Sequence, residues 1–226
     1  MNPTLHLARP GTDAAALPAA RTARLKRAYT TRHFAPAELH GLCTDLAVRP
    51  HPGDLVLARV ERLGKHGALE LTDSRRATLF TGDEVLVAYA ERYAPDQFEA
   101  HVPESLAPCH LAASGGVAAT VVARRAGVVA PTELRPLGLV LGADGQRLNL
   151  RQKALPRAGG FGPRPLTLAS LGTSMNAGKT TSAAHLIHGL VRSGLRVGAA
   201  KITGTGSGND PGLLRDAGAQ HVLDFT

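Results

Sequence analysis

Two different patterns of apolar residues divide the chain. Up to about residue 157, short β-type runs alternate with turn signals. Leu55-Val56-Leu57-Ala58-Arg59-Val60 follows Pro52-Gly53-Asp54, and Val85-Leu86-Val87-Ala88-Tyr89 follows Gly82-Asp83-Glu84. The shared phrase, GDLVLA against GDEVLVA, reads as two similar strand entries, each opened by a Gly-Asp turn. Further strands are expected over 68–71, 77–80, 98–102, 116–123 and 137–141, the last paired with 147–150 across Asp144-Gly145. That dipeptide tolerates the positive φ angles of a type I′ turn. Many short strands, regular turns and one short helix near 36–42 predict a small β-barrel or sandwich over 22–157.

The second pattern follows a glycine and proline cluster, Ala158-Gly159-Gly160-Phe161-Gly162-Pro163-Arg164-Pro165. From there the order becomes strand, glycine loop, helix, strand. Leu166-Thr167-Leu168-Ala169-Ser170-Leu171 is a largely apolar run of the kind buried in a parallel sheet. A loop over 172–181 leads into a helix with Ala183, Leu186, Ile187, Leu190 and Val191 on one face, closed by Ser193-Gly194. A second buried strand is expected over 197–202, followed by the glycine-rich segment 203–208. The whole reads as an α+β chain of two domains, whose second part is the first βαβ portion of a parallel-sheet α/β domain. The expected segments are a leader over 1–21, a β-rich domain over 22–157, a linker over 158–165 and a partial domain over 166–226.

Composition sets limits on partners and compartment. The 226 residues are 43% hydrophobic and 19% charged, enough to bury a core. No apolar run approaches the roughly 18 residues of a membrane-spanning helix, which argues against a membrane protein. The N-terminus lacks the basic start and apolar stretch of a secretory signal, and two cysteines do not make a disulfide framework. A cytoplasmic protein is expected. The balance of 26 basic and 18 acidic residues gives +8. These cations are scattered and not interleaved with aromatics, so a nucleic-acid partner is not expected. His40 with Cys43, and Cys109 with His110, offer nitrogen and sulfur donors for zinc. Adjacent residues on a strand point to opposite faces, however, which favours small buried thiols and surface histidines.

Gly178-Lys179-Thr180, between an apolar run and an amphipathic helix, matches the second half of a P-loop. In such a loop successive N–H groups and the positive end of the helix dipole converge on phosphate oxygens. Lys179 would reach the β- and γ-phosphates, Thr180 would ligate Mg²⁺, and Gly178 would admit the backbone without a clashing Cβ. The usual spacing puts the first glycine at position 173; here Thr173 stands there and Gly172 precedes it.

Gly172-Thr173-Ser174-Met175-Asn176-Ala177-Gly178-Lys179-Thr180-Thr181 resembles the loop of the dethiobiotin synthetases and cobyrinic acid amidotransferases, G-T-x-x-x-x-G-K-T. The resemblance covers residues 166–210, and bacterial proteins that join such a P-loop domain to an N-terminal β domain are similar over the whole chain. It implies a P-loop α/β domain that binds Mg-ATP, or GTP, through residues 172–181. It also implies transfer of the γ-phosphoryl group to a carboxylate or carbamate, with Lys179 and Lys201 catalytic. In that family a lysine ends the next strand, as Lys201 does, although the family's Lys-Pro is Lys201-Ile202 here. Asp210 is a candidate second ligand for Mg²⁺ beside Thr180, set against a plain Asn-Asp-Pro turn. Asp224, after His221-Val222-Leu223, has the look of a Walker B aspartate but follows the loop closely. His185 and His188, one helical turn apart, fall on the polar side of their helix.

A doubly wound nucleotide domain needs about five strands, so the segment 166–226 is expected to be an incomplete one, inactive by itself. The expected partners are a nucleoside triphosphate and, as an option, further copies of the chain. A different reading of the same features is a nucleotide-gated binding module whose β domain recognises a partner.

Overall fold

The computed structural model describes residues 14–156, 159, 162, 165–173, 176–204 and 206–226. The chain divides into two compact units, one ending at Lys153 and the other beginning at Ala154.

The first unit holds β1 (Ala14–Ala16), helix α1 (Ala19–Thr22), β2 (Lys26–Arg27), β3 (Gly41–Cys43), β4 (Leu55–Arg62), β5 (Ala68–Glu70), β6 (Arg76–Thr78), β7 (Glu84–Tyr89), β8 (Arg92–Tyr93), β9 (Phe98–His101), β10 (Cys109–Ala113), β11 (Val117–Arg124) and β12 (Thr132–Leu141). Its centre is the antiparallel pair β4 and β7, with Leu55 opposite Ala88 and Arg59 opposite Glu84. Both strands are buried on two faces. Val56, Ala58, Val60, Val85, Val87 and Tyr89 enter one core with Leu69, Leu79, Leu111 and Leu134. Leu55, Leu57 and Leu86 enter another with Phe34, Leu39, Leu42 and Val140. Double burial explains why these two strands read as continuous apolar runs instead of alternating ones.

Around the pair lies a ten-stranded mixed sheet in the order β1-β3-β12-β4-β7-β11-β9-β8, with β10 pairing β11 and β12, and β2 pairing β7. This corrects the expected small barrel or sandwich: the strands form one large sheet that is not closed into a barrel. Two of its pairings, β2 with β7 and β7 with β11, are parallel, whereas a sandwich of hairpins is antiparallel throughout. The strands that escaped sequence reading are short, and β2 is Lys-Arg, with no apolar period to detect. Ala14–Ala16 and all of α1 but Thr22 fall in the expected leader, yet β1 pairs with β3 and Leu17 is buried.

The repeated Gly-Asp phrase is a repeated turn. Gly53 and Gly82 adopt φ of 90° and 92°. Asp54 accepts a hydrogen bond from His51 N at 2.8 Å, and Asp83 accepts one from Phe80 N at 2.7 Å. At Asp144-Gly145 only the glycine has positive φ, 72°, so the turn is not type I′. It closes from Gly145 N to Gly142 O at 3.0 Å, and Leu148 N donates back to Val140 O. The helix expected near 36–42 is a single 3-10 turn, Pro36–Glu38, followed by β3.

The second unit contains α2 (Lys179–Arg192), β13 (Gly198–Lys201), α3 (Asn209–Asp216) and β14 (His221–Asp224). β13 and β14 pair in parallel across α3, over a small core of Ala184, Ile187, Leu214, Ala217 and Ala219. The expected βαβ portion of a P-loop α/β domain is therefore corrected as well. The run 166–171 joins no ladder, and Leu166 and Leu171 are 89% and 85% exposed. A strand needs at least one neighbour to complete its backbone hydrogen bonds, and among the described residues no ladder partner lies beside this run. No helix among the described residues is long and apolar enough to cross a membrane.

Candidate functional site

The residues singled out in sequence gather at the start of α2 and the C-terminal end of β13. Gly178 is the residue before the helix, at φ 76° and ψ 7°, and Asn176 shares this left-handed region at φ 62°. A side chain at 178 would meet no neighbour, so the glycine answers a conformational need and not a steric one. Gly172 is the opposite case. A Cβ there would lie 2.9 Å from Lys179 Cγ, so its absence lets the lysine stem pass over the loop backbone. Ser170 Oγ donates to Lys179 O at 3.0 Å, tying the start of the loop to the first helical residue. Thr173, Ala177 and Thr181 are exposed beside these groups. Ser174 and Met175, also expected to contact phosphate, lie outside the described residues, as does Thr205.

Lys201 ends β13, and its Nζ donates to Thr180 Oγ1 at 3.1 Å. The same ammonium forms an ion pair with the Asp210 carboxylate, in the first turn of α3. Its aliphatic stem runs past Gly204, where an added Cβ would sit 3.3 Å from Lys201 Cε and 3.4 Å from Phe225 Cε1. Thus Thr180, Lys201 and Asp210, far apart in sequence, are brought together. Asp224 stands opposite Lys201 in the parallel register, and its Oδ1 accepts from Thr226 N at 3.2 Å. Sequence spacing spoke against Asp224, because it follows the loop closely; in the fold its strand β14 pairs with β13 across α3.

Two oxygens, Thr180 Oγ1 and Asp210 Oδ2, converge on one cationic nitrogen. Hard oxygen donors of this kind fit Mg²⁺, which commonly takes one or two protein ligands and completes its shell with water and phosphate. Among the described residues no group of three or more His, Cys, Asp or Glu forms a metal cluster. His185 and His188 are exposed on α2. Cys109 faces the core, where burial pushes its thiol up to about 12, beside the Tyr89 hydroxyl. His110, on the other face of β10, accepts from Val121 N through Nδ1 at 3.1 Å. These two therefore diverge, as strand geometry requires.

No family model matches the chain, nor does any curated protein or solved structure.

Proposed function

We infer that residues 172–181 bind the phosphates of a nucleoside triphosphate, ATP or GTP, together with Mg²⁺, and that the site serves phosphoryl transfer of the dethiobiotin synthetase type. The observation that carries this reading is the convergence of Thr180 Oγ1 and the Asp210 carboxylate on the Lys201 ammonium, at the N-terminus of α2. Unsatisfied N–H groups at a helix start, backed by the dipole, favour phosphate there. Lys179, the first helical residue, is the cation that would neutralise β- and γ-oxygens. Thr180 and Asp210 would hold Mg²⁺, whose role when bound is to neutralise charge on the transferring phosphoryl group.

For the transfer itself, a substrate carboxylate oxygen attacks the γ-phosphorus and the nucleoside diphosphate leaves with the bridging oxygen. The acyl phosphate is then attacked by a nucleophile and releases inorganic phosphate. Lys201 is placed to hold a carboxylate, since its ammonium already pairs with one, Asp210.

Calorimetric titration of ATP and GTP in Mg²⁺ tests the reading. Wild-type chain should bind one of them, and Lys179→Ala should weaken binding by at least about tenfold, the worth of a charge-assisted contact. Absence of binding by wild type, or equal affinity in the variant, overturns it.

A further inference from the structure

We propose that Arg92, in the first unit, is the centre of a second anion site, which takes a phosphate-type oxyanion. Arg92 opens β8, the outermost strand on one side of the sheet, yet it is only 9% exposed. Its Nη1 donates to Ala112 O and its Nη2 to Gln97 Oε1 at 3.1 Å, while Nε is buried with no partner. Burial alone lowers its pKa; no carboxylate acts on it. A guanidinium stays charged at all ordinary pH, and a buried charge without a counterion is expensive. Two neutral acceptors offset that only in part.

The surroundings are cationic too. His66 Nε2 lies 3.3 Å from Arg92 Nη1 and 3.0 Å from Ala112 O, and its ring packs edge-on to Phe98, centroids 5.8 Å apart. Burial lowers the His66 pKa to about 4, and the charges of Arg92, Lys65 and Arg76 add to the fall. Lys65 and Arg76 are exposed and form no ion pair among the described residues. Arg92 and Lys65 thus flank a neutral imidazole, with Arg76 beside them opposite Glu70 in the β5–β6 register. Arg92 and Lys65 together exceed the charge of one carboxylate, which favours a dianion. The planar fork of arginine suits two oxygens of a phosphate.

The frame is rigid. Thr132 Oγ1 accepts from Gly64 N at 2.9 Å and donates to His66 O at 2.8 Å. Lys65 N donates to Ala130 O at 2.8 Å, and a Cβ on Gly64 would fall 2.2 Å from Ala130 O. The segment carrying Lys65 and His66 is therefore held by backbone contacts before any ligand arrives, which lowers the entropy lost on binding. Gln97 Oε1, half-buried on Nη2, is the neutral oxygen that an anionic one would replace.

The site is tested in the full chain carrying Lys179→Ala, so that an anion at the α2 loop does not interfere. Sulfate, a tetrahedral oxyanion that stays doubly charged at the pH where His66 titrates, stands in for phosphate at constant ionic strength, with acetate and chloride as controls, and the His66 ring proton is followed by NMR. Sulfate should raise the His66 pKa by at least about one unit, because the bound anion offsets the neighbouring cations. Lys65→Gln with Arg76→Gln, two changes at exposed positions, should weaken sulfate binding by about tenfold or more. A His66 resonance unmoved by sulfate, moved equally by acetate or chloride, or moved as readily in the double variant, overturns the proposal.

Discussion

Lys201 Nζ donates to Thr180 Oγ1 across 3.1 Å while pairing with Asp210. A lysine thus stands on the two oxygens proposed to hold Mg²⁺, and a divalent ion would have to displace it. Lys201→Met removes the competitor and keeps the stem. The Lys201 and Asp210 side chains are 22% and 42% exposed, so the pair is screened and its loss is worth little. Mn²⁺ affinity without nucleotide, read by electron paramagnetic resonance, should rise about three- to tenfold. Unchanged or weaker Mn²⁺ binding would show that Thr180 and Asp210 do not share a cation.

The two kinds of glycine requirement separate under alanine. At Gly178 an added Cβ meets nothing, so Gly178→Ala pays only for the left-handed backbone, about 1–2 kcal/mol. At Gly116, φ 103°, the Cβ would lie 2.1 Å from the Cβ of Ala28, a fully buried residue of the core. Gly116→Ala should therefore destabilise the first unit by more, about 3 kcal/mol or above. Urea unfolding of each variant checks the order; equal losses would contradict it.

The Gly-Asp turns also show what a sequence pattern reveals and what it hides. Gly53-Asp54 and Gly82-Asp83 are local devices, complete within four residues, and β4 and β7 after them are readable from apolar runs alone. Which strands neighbour each other is not local. The parallel pairs of β7 with β2 and β11 join segments separated by dozens of residues, and a Lys-Arg strand has no pattern to announce it. The run 166–171 misled for a related reason: apolarity signals burial only where another strand supplies a ladder, and here Leu166 and Leu171 stay exposed. The candidate site follows the same division. Gly178, Lys179 and Thr180 are a contiguous motif, and Lys201 was legible through a family resemblance. The contact of Thr180 with Lys201, and the cations around Arg92, depend on folding.

The same turn should tolerate loss of its aspartate differently at its two occurrences. The Asp54 carboxylate is nearly inaccessible and accepts from His51 N at 2.8 Å and Asn149 Nδ2 at 2.8 Å, with Arg147 Nη1 at 3.7 Å. Asp83 accepts from Phe80 N and pairs with Lys26, but its side chain is about a quarter exposed. Asp54→Ala removes a buried acceptor from two part-buried donors and should cost about 2 kcal/mol, against about 1 kcal/mol for Asp83→Ala, where water replaces the lost acceptor. Denaturant midpoints of the two variants test this, and a larger loss at Asp83 would refute it.

His66 gives the first unit a pH-dependent stability. Its pKa is near 4 when folded, set by burial and then by Arg92, Lys65 and Arg76, against about 6.5 when unfolded. The folded pKa is the lower one, so between the two values the unfolded chain holds more protons. Stability is complete above pH 6.5 and is lost as pH falls toward 4. The full difference is about 3 kcal/mol, of which about 2 kcal/mol should disappear between pH 7 and 5. Burial lowers the pKa of His110 as well and adds a smaller slope of the same sign. Glu38, Glu84 and Glu133 have lowered pKa values through their Lys or Arg partners, so their stabilisation is present above about 4.5 and is lost only below it, outside this window. His66→Gln keeps an amide donor for Ala112 O and removes the titration. In that variant the unfolding free energy should change by less than half as much between pH 7 and 5. A slope as steep as that of wild type would mean that His66 is not held neutral by its surroundings.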